Sequence, residues 1–181
     1  MSRRRILAVT LLAVIGIAAT SAADMPTKLL WNATASAPVG FYSIEPADRI
    51  EVPELVAVMP PEPLAGFMIG RGYVGRGVPL LKRVVGLPGQ QVCRIGRDIL
   101  IDGTAIGSAL ARDRLGRELP VWQGCRVIAD GQLFLMNWDV PDSLDGRYFG
   151  PIPASSVIGR ALPLWTDEDG DGRFVWRAPT H

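Results

Sequence analysis

The sequence predicts a mainly β domain preceded by one apolar helical segment. Three observations predict it. Twenty Gly and fifteen Pro in 181 residues punctuate the chain too often for long helices. The apolar runs beyond residue 24 are short and bounded by Gly, Pro or Asp-Gly, as strands joined by tight turns are. The one long apolar stretch, residues 6–23, stands at the amino terminus behind Arg3, Arg4 and Arg5. With 48% hydrophobic residues the chain is large enough for one domain whose core buries roughly 70% of the unfolded surface.

Residues 6–23 are uncharged and as a helix would rise about 27 Å, close to the thickness of a bilayer core. They are apolar on every face and basic on one flank only, which fits a membrane signal better than a core helix. The arginines should stay cytoplasmic while the rest of the chain crosses. Ser21-Ala22-Ala23 also has the small residues of a cleavage site, so residues 1–23 serve either as a signal anchor or as a removable signal peptide. Residues 24–181 form the exported body. Without the three arginines, sixteen Lys plus Arg face eighteen Asp plus Glu, a balance of −2, which leaves no basic field for nucleic acid. Cys93 and Cys125 in an exported body can close a disulfide worth roughly 3–4 kcal/mol, or remain two buried thiols; without nearby histidines they cannot complete a zinc shell.

Along the body, residues 31–42 are small and then broken by Pro38 and Gly40, which predicts an exposed turn presenting a hydroxyl. Residues 55–59 have strand length. After Pro60, Pro61 and Pro63, the spacing of Leu64, Phe67 and Met68 predicts one or two helical turns. Residues 80–85 read as a strand placing Leu80, Lys82 and Val84 on one side and Leu81, Arg83 and Val85 on the other. Asp102-Gly103 and Asp130-Gly131 each predict a hairpin, the second joining residues 125–128 to 132–136. The charge-rich 112–118 segment reads as a solvated loop.

Two motif matches are set aside. Gly70-Arg71-Gly72-Tyr73-Val74-Gly75 fits a dinucleotide fingerprint, but Gly77 and Pro79 follow where a helix must open. Asp167, Asp169, Asp171 and Gly172 begin like a calcium loop, yet Ala178 stands where the bidentate glutamate belongs, so Asp167-Gly172 reads as an acidic turn.

The chemistry-bearing candidates are Ser36 and Lys82. The only histidine, His181, is the last residue, which makes a Ser-His-Asp arrangement improbable and leaves lysine as the base. To act near neutral pH, a lysine must lose about 3 units from its free pKa, and burial among Leu80, Leu81, Val84 and Val85 would do this. The bland alternative is a lysine whose stem lies on an apolar face while its head reaches water.

Read with the segment from Met136 to Ile152, these stretches resemble in order and spacing the membrane-bound type I signal peptidases, and more closely their short relatives, the TraF-type peptidases of conjugal transfer. Lys82-Arg83-Val84-Val85-Gly86-Leu87-Pro88-Gly89 looks like the family's lysine box, and Ser143-x-Asp145-x-Arg147-Tyr148-Phe149-Gly150 like its last box. The resemblance implies a coiled β-sheet fold and a Ser-Lys dyad: Ser36 the nucleophile, Lys82 the general base, the Ser36 N–H and Thr34 hydroxyl the oxyanion donors, Ser143 a partner of the lysine amine, and Asp145 with Arg147 a supporting ion pair. It implies no cofactor and no metal. It places the peptidase domain in the periplasm at the bacterial inner membrane, acting on an exported precursor or pilin, either by cleavage alone or with joining of the product's ends, in company with other conjugation proteins. A general signal peptidase and an inactive assembly module are the rival readings. Three departures stand out: Met136-Asn137-Trp138 stands where the last box opens with Gly-Asp-Asn, Gly146 replaces a serine between Asp145 and Arg147, and Ala37 follows Ser36 where the family carries Ser-Met.

Overall fold

The computed structural model describes residues 3–22 and 27–179. Helix α1 (Arg3–Ala22) precedes the body, and its side chains from residue 3 to 16 are exposed all round, so that stretch contributes nothing to the core. Among the described residues, no helix is long and apolar enough to cross a membrane. Ala23 of the proposed cleavage site, and His181, lie outside the described residues.

The body is mainly β, as expected. The larger sheet contains β1 (Leu29–Asn32), β2 (Val39–Glu45), β3 (Leu55–Val58), β4 (Leu80–Gly86), β9 (Gln132–Leu135), β10 (Ile152–Pro153), β11 (Val157–Asp167) and β12 (Val175–Trp176). Its order is β1-β2-β11-β3-β4-β9-β10, with β12 on β11. The smaller sheet contains β5 (Gln91–Ile95), β6 (Asp98–Ile101), β7 (Thr104–Ser108) and β8 (Gly124–Val127), in the order β7-β6-β5-β8. Helices α2 (Leu64–Gly70) and α3 (Gly146–Phe149) complete the described elements used below.

Strand β3 shows why its run is apolar without alternation. Leu55 and Ala57 join a cluster with Tyr42, Ile44, Leu81 and Ala161, while Val56 and Val58 face the opposite cluster with Val84, Leu133 and Leu135. A central strand covered on both faces needs apolar residues at every position. On β4, Lys82 pairs with Val56 and so falls on the Val56, Val58, Val84 side of the sheet.

The Asp102-Gly103 hairpin forms between β6 and β7, with positive φ at both residues. The second expected hairpin does not. Ala129 and Gln132 close a turn at Asp130-Gly131, but β8 leaves to pair with β5 and β9 to pair with β4. The pairing of Cys93 with Cys125 in the β5–β8 register, where they form a disulfide, holds β8 in the smaller sheet. Near the Gly70 to Gly75 motif, α2 ends rather than begins. Asp167 accepts the backbone N–H groups of Asp171 and Gly172, so its carboxylate is spent closing the acidic turn.

Candidate active site

Ser36 lies half-buried in the turn between β1 and β2. Buried Asn32 fastens that turn: its amide nitrogen donates to the carbonyls of Thr34 (2.8 Å), Ala37 (2.9 Å) and Pro38 (3.1 Å), and its oxygen accepts from the Thr34 N–H (3.2 Å) and hydroxyl (2.9 Å). The Tyr42 hydroxyl, on a fully buried ring, donates to Pro38 O at 2.7 Å. Gly40 is required here. A Cβ would lie 2.2 Å from the Trp165 carbonyl, and the residue's φ is +149°. The turn is therefore held from below by packed strands while its hydroxyl remains accessible.

The Thr34 and Ser36 hydroxyls are 3.1 Å apart. Because Thr34 has one hydroxyl proton and Asn32 Oδ1 can only accept, that proton is committed to Asn32, and Thr34 stands as acceptor toward Ser36. To donate to an oxyanion, it must turn away from Asn32.

Lys82 is 5% exposed, and its Nζ donates to Ser143 Oγ at 2.7 Å. Burial pushes the ammonium down from its ordinary value to about 8, with Asp145 opposing the shift and Arg147 adding to it. The side chain is buried as a whole, so the bland alternative, with the head out in bulk water, fails for this lysine. Ser36, Thr34, Lys82 and Ser143 all line one cleft of about 560 Å³. Ser36 also borders a second cleft of about 310 Å³ with Arg83, Asn137, Asp139 and the acidic turn.

Ser143 is positioned by a buried charge pair rather than the surface pair its sequence could equally have meant. Arg147 Nε and Nη2 donate to the two oxygens of Asp145 at 2.9 and 2.8 Å, and the pair's side chains are 1% and 0% exposed. Nη2 also shares its two protons with the carbonyls of Asn137 (3.1 Å), Val140 (2.7 Å) and Ser143 (3.2 Å), and Nη1 donates to Pro141 O (3.2 Å), so the guanidinium gathers the whole loop that carries Ser143. Gly146 now has a reason: a Cβ there would lie 2.7 Å from Leu135 O and from the Phe134 ring. Ala37 is buried in the cluster of Tyr42, Leu55 and Leu81 as well as bordering the second cleft.

Sequence reasoning missed Asn137. Its amide nitrogen donates to the Ser36 carbonyl and to Leu81 O (3.1 Å), and its oxygen accepts from the Arg83 N–H (3.0 Å). One side chain thus joins the serine turn to the residues on either side of Lys82. Its own N–H is held by Asp145 Oδ2 at 3.1 Å. Asn32 and Arg94 were missed as well; buried Arg94 donates to Arg147 O at 2.6 Å and couples the smaller sheet to α3. A polar residue just before a strand break, as Asn32 is, was the available signal for the turn; nothing local distinguishes Asn137 from a surface asparagine.

The family described as "Signal peptidase, peptidase S26" matches residues 2–165. A conjugal transfer protein TraF of Agrobacterium fabrum strain C58 is 38% identical over 146 residues, covering 75% of this chain and 81% of that protein. A second, from Agrobacterium tumefaciens strain 15955, is 34% identical over 177 residues, covering 92% and 98%. A solved signal peptidase I of Enterococcus faecalis V583 matches at 22% identity and a TM-score of 0.35, covering 62% of this chain and 98% of that one. The match across nearly the whole body, including the serine turn, the lysine strand and the Ser143 loop, places the chain in the signal peptidase, peptidase S26, family.

Proposed function

We propose that the protein is a Ser-Lys endopeptidase that cuts an exported precursor after a small residue. The observation that carries this reading is a buried lysine amine, hydrogen-bonded to Ser143, sharing a cleft with an accessible serine. In its neutral form Lys82 takes the Ser36 proton as Oγ adds to the scissile carbonyl. The Ser36 N–H and a rotated Thr34 hydroxyl stabilise the oxyanion. Collapse of the tetrahedral intermediate breaks the peptide bond, and the Lys82 ammonium returns its proton to the leaving amine. Water then repeats the sequence on the acyl-enzyme, with Lys82 again as base.

The similarity to TraF proteins of conjugal transfer supports a precursor of that apparatus, a pilin, as the substrate. The basic flank and the uncharged 6–23 run support residues 1–23 as a membrane-directing segment, with the peptidase domain, residues 24–181, on the periplasmic side of the inner membrane. An exposed aromatic face adds support. Trp31, Trp165 and Trp176 are 43%, 43% and 67% exposed; Trp31 packs with Phe41 and Phe174, Trp165 with Phe174, and Trp176 stands opposite Trp165 in the β11–β12 register. Indole rings on one face suit a lipid headgroup layer.

Purified full-length protein in proteoliposomes with a membrane-embedded pilin precursor tests the chemistry. Wild type should cleave. Ser36→Ala, Lys82→Ala and Lys82→Arg should remain folded and lose turnover, the last because a guanidinium stays protonated. Unchanged cleavage in Ser36→Ala or Lys82→Ala defeats the dyad.

A further inference from the structure

We infer that the 112–118 loop is a specificity element of the cleft, with Leu115 meeting an apolar side chain of the substrate at a position other than the small residue at the cut; this rests on the peptidase reading. The segment is the solvated loop its charges predict, exposed at five of its seven positions, and it is also braced. Asp113, Arg114, Leu115 and Arg117 line the same cleft as Ser36 and Lys82. Asp113 is the hub that fixes the loop. One carboxylate oxygen accepts the N–H groups of Leu115 (2.9 Å) and Arg117 (2.8 Å); the other accepts the Tyr73 hydroxyl (2.5 Å) and Arg117 Nε (2.7 Å). Arg117 reaches Arg71 O at 3.0 Å, and Arg71 reaches Glu118 O at 2.6 Å, which bolts the loop to the turn after α2. On another side, Arg114 pairs with Asp142, next to Ser143.

The loop's charges are thus spent on its own shape, yet Leu115 is 75% exposed, the largest fraction of any large apolar side chain described. A leucine exposed on a mobile loop needs no explanation. A leucine held out by a braced turn on the wall of a reaction cleft is preorganised. A ligand that covers it gains apolar burial without the cost of ordering the loop. Tyr73, Val74 and Val78 line the same cleft and extend the apolar surface. Arg114 and Arg117 already have carboxylate partners, so the wall should discriminate by apolar volume more than by charge.

A peptide series varied one position at a time, cut by wild type and Leu115→Ser, tests this. For peptides with a large apolar residue at the sensitive position, Leu115→Ser should raise KM about tenfold with kcat unchanged, the effect of losing roughly half of a leucine's burial. Peptides with alanine there should show no change, and Asp113→Asn, which loosens the brace, should weaken the same preference. Identical preferences in wild type and Leu115→Ser at every position, or a loss confined to kcat, overturn the inference. Anisotropy with the same fluorescent peptides on Ser36→Ala protein reads the preference without turnover. Apolar selectivity lost there on adding Leu115→Ser supports the loop's role even if no cleavage occurs, and selectivity unaffected overturns it.

Discussion

On the proposed reading, Lys82 concentrates the site's chemistry in one ionisation. With a folded pKa near 8 and an unfolded value near 10.4, the folded protein releases this proton first. Two consequences follow with definite sign. If Lys82 is the base, kcat/KM should climb through an acid limb near pH 8 and level off above it, as a pH-rate profile on a peptide substrate would read; a flat profile between pH 6 and 9 contradicts the assignment. For stability, the unfolded state binds more protons between about pH 8 and 10.4, so this group's contribution rises with pH through that window. Below it, the fold carries a buried ammonium. Lys82→Met should therefore be inactive but more stable at pH 7 by up to about 2 kcal/mol, after the lost Ser143 hydrogen bond is set against relief of desolvation. Urea midpoints at pH 7 and pH 10 check this: the advantage should shrink at the higher pH.

Among the elements, the loop from Asn137 to Ser143 and the start of α3 decide whether the amine is correctly held. The sequence made Ser143, Asp145 and Arg147 legible because they keep a fixed local spacing. It could not show that the ion pair is buried, since a surface pair has the same letters, nor that Asn137 reaches Ser36 and Leu81, 101 and 56 positions before it. Gly146 reads as a departure from a motif until Leu135 O and the Phe134 ring are seen against it. Gly146→Ser, which restores the family's residue, should then destabilise the protein by about 1–3 kcal/mol from overpacking, measured by thermal or urea unfolding, and lower activity through displacement of Ser143. An unaltered midpoint would mean that the loop yields where its contacts say it is tight.

For the whole molecule, the two sheets separate tasks. The larger one carries the serine turn at one end of β2 and the lysine on β4; the smaller one, tied by the Cys93–Cys125 disulfide, reaches α3 through Arg94. The proposed membrane apposition belongs at this scale, because the aromatic face draws on β1, β2, β11 and β12 together. In full-length protein reconstituted into vesicles, lipids with a quencher at shallow depth should quench Trp31, Trp165 and Trp176 in single-tryptophan variants. Trp122 and Trp138, which stack under Arg126 and Arg83, should be quenched little. Equal quenching of all five would remove the face's claim to the bilayer.

By itself the sequence determined the class of the fold, the strands at β3 and β4, the Asp102-Gly103 turn and the local boxes around Ser36, Lys82 and Ser143. Each of these is written in neighbouring residues, through strand-length apolar runs, turn chemistry and motif spacing. Only the tertiary structure decided that β8 and β9 part into different sheets, that Asn137 ties the serine turn to the lysine strand, and that the 112–118 loop is braced against the cleft. Those outcomes depend on which distant backbone groups and side chains compete for the same hydrogen-bond partners and the same buried volume, and that competition has no local spelling.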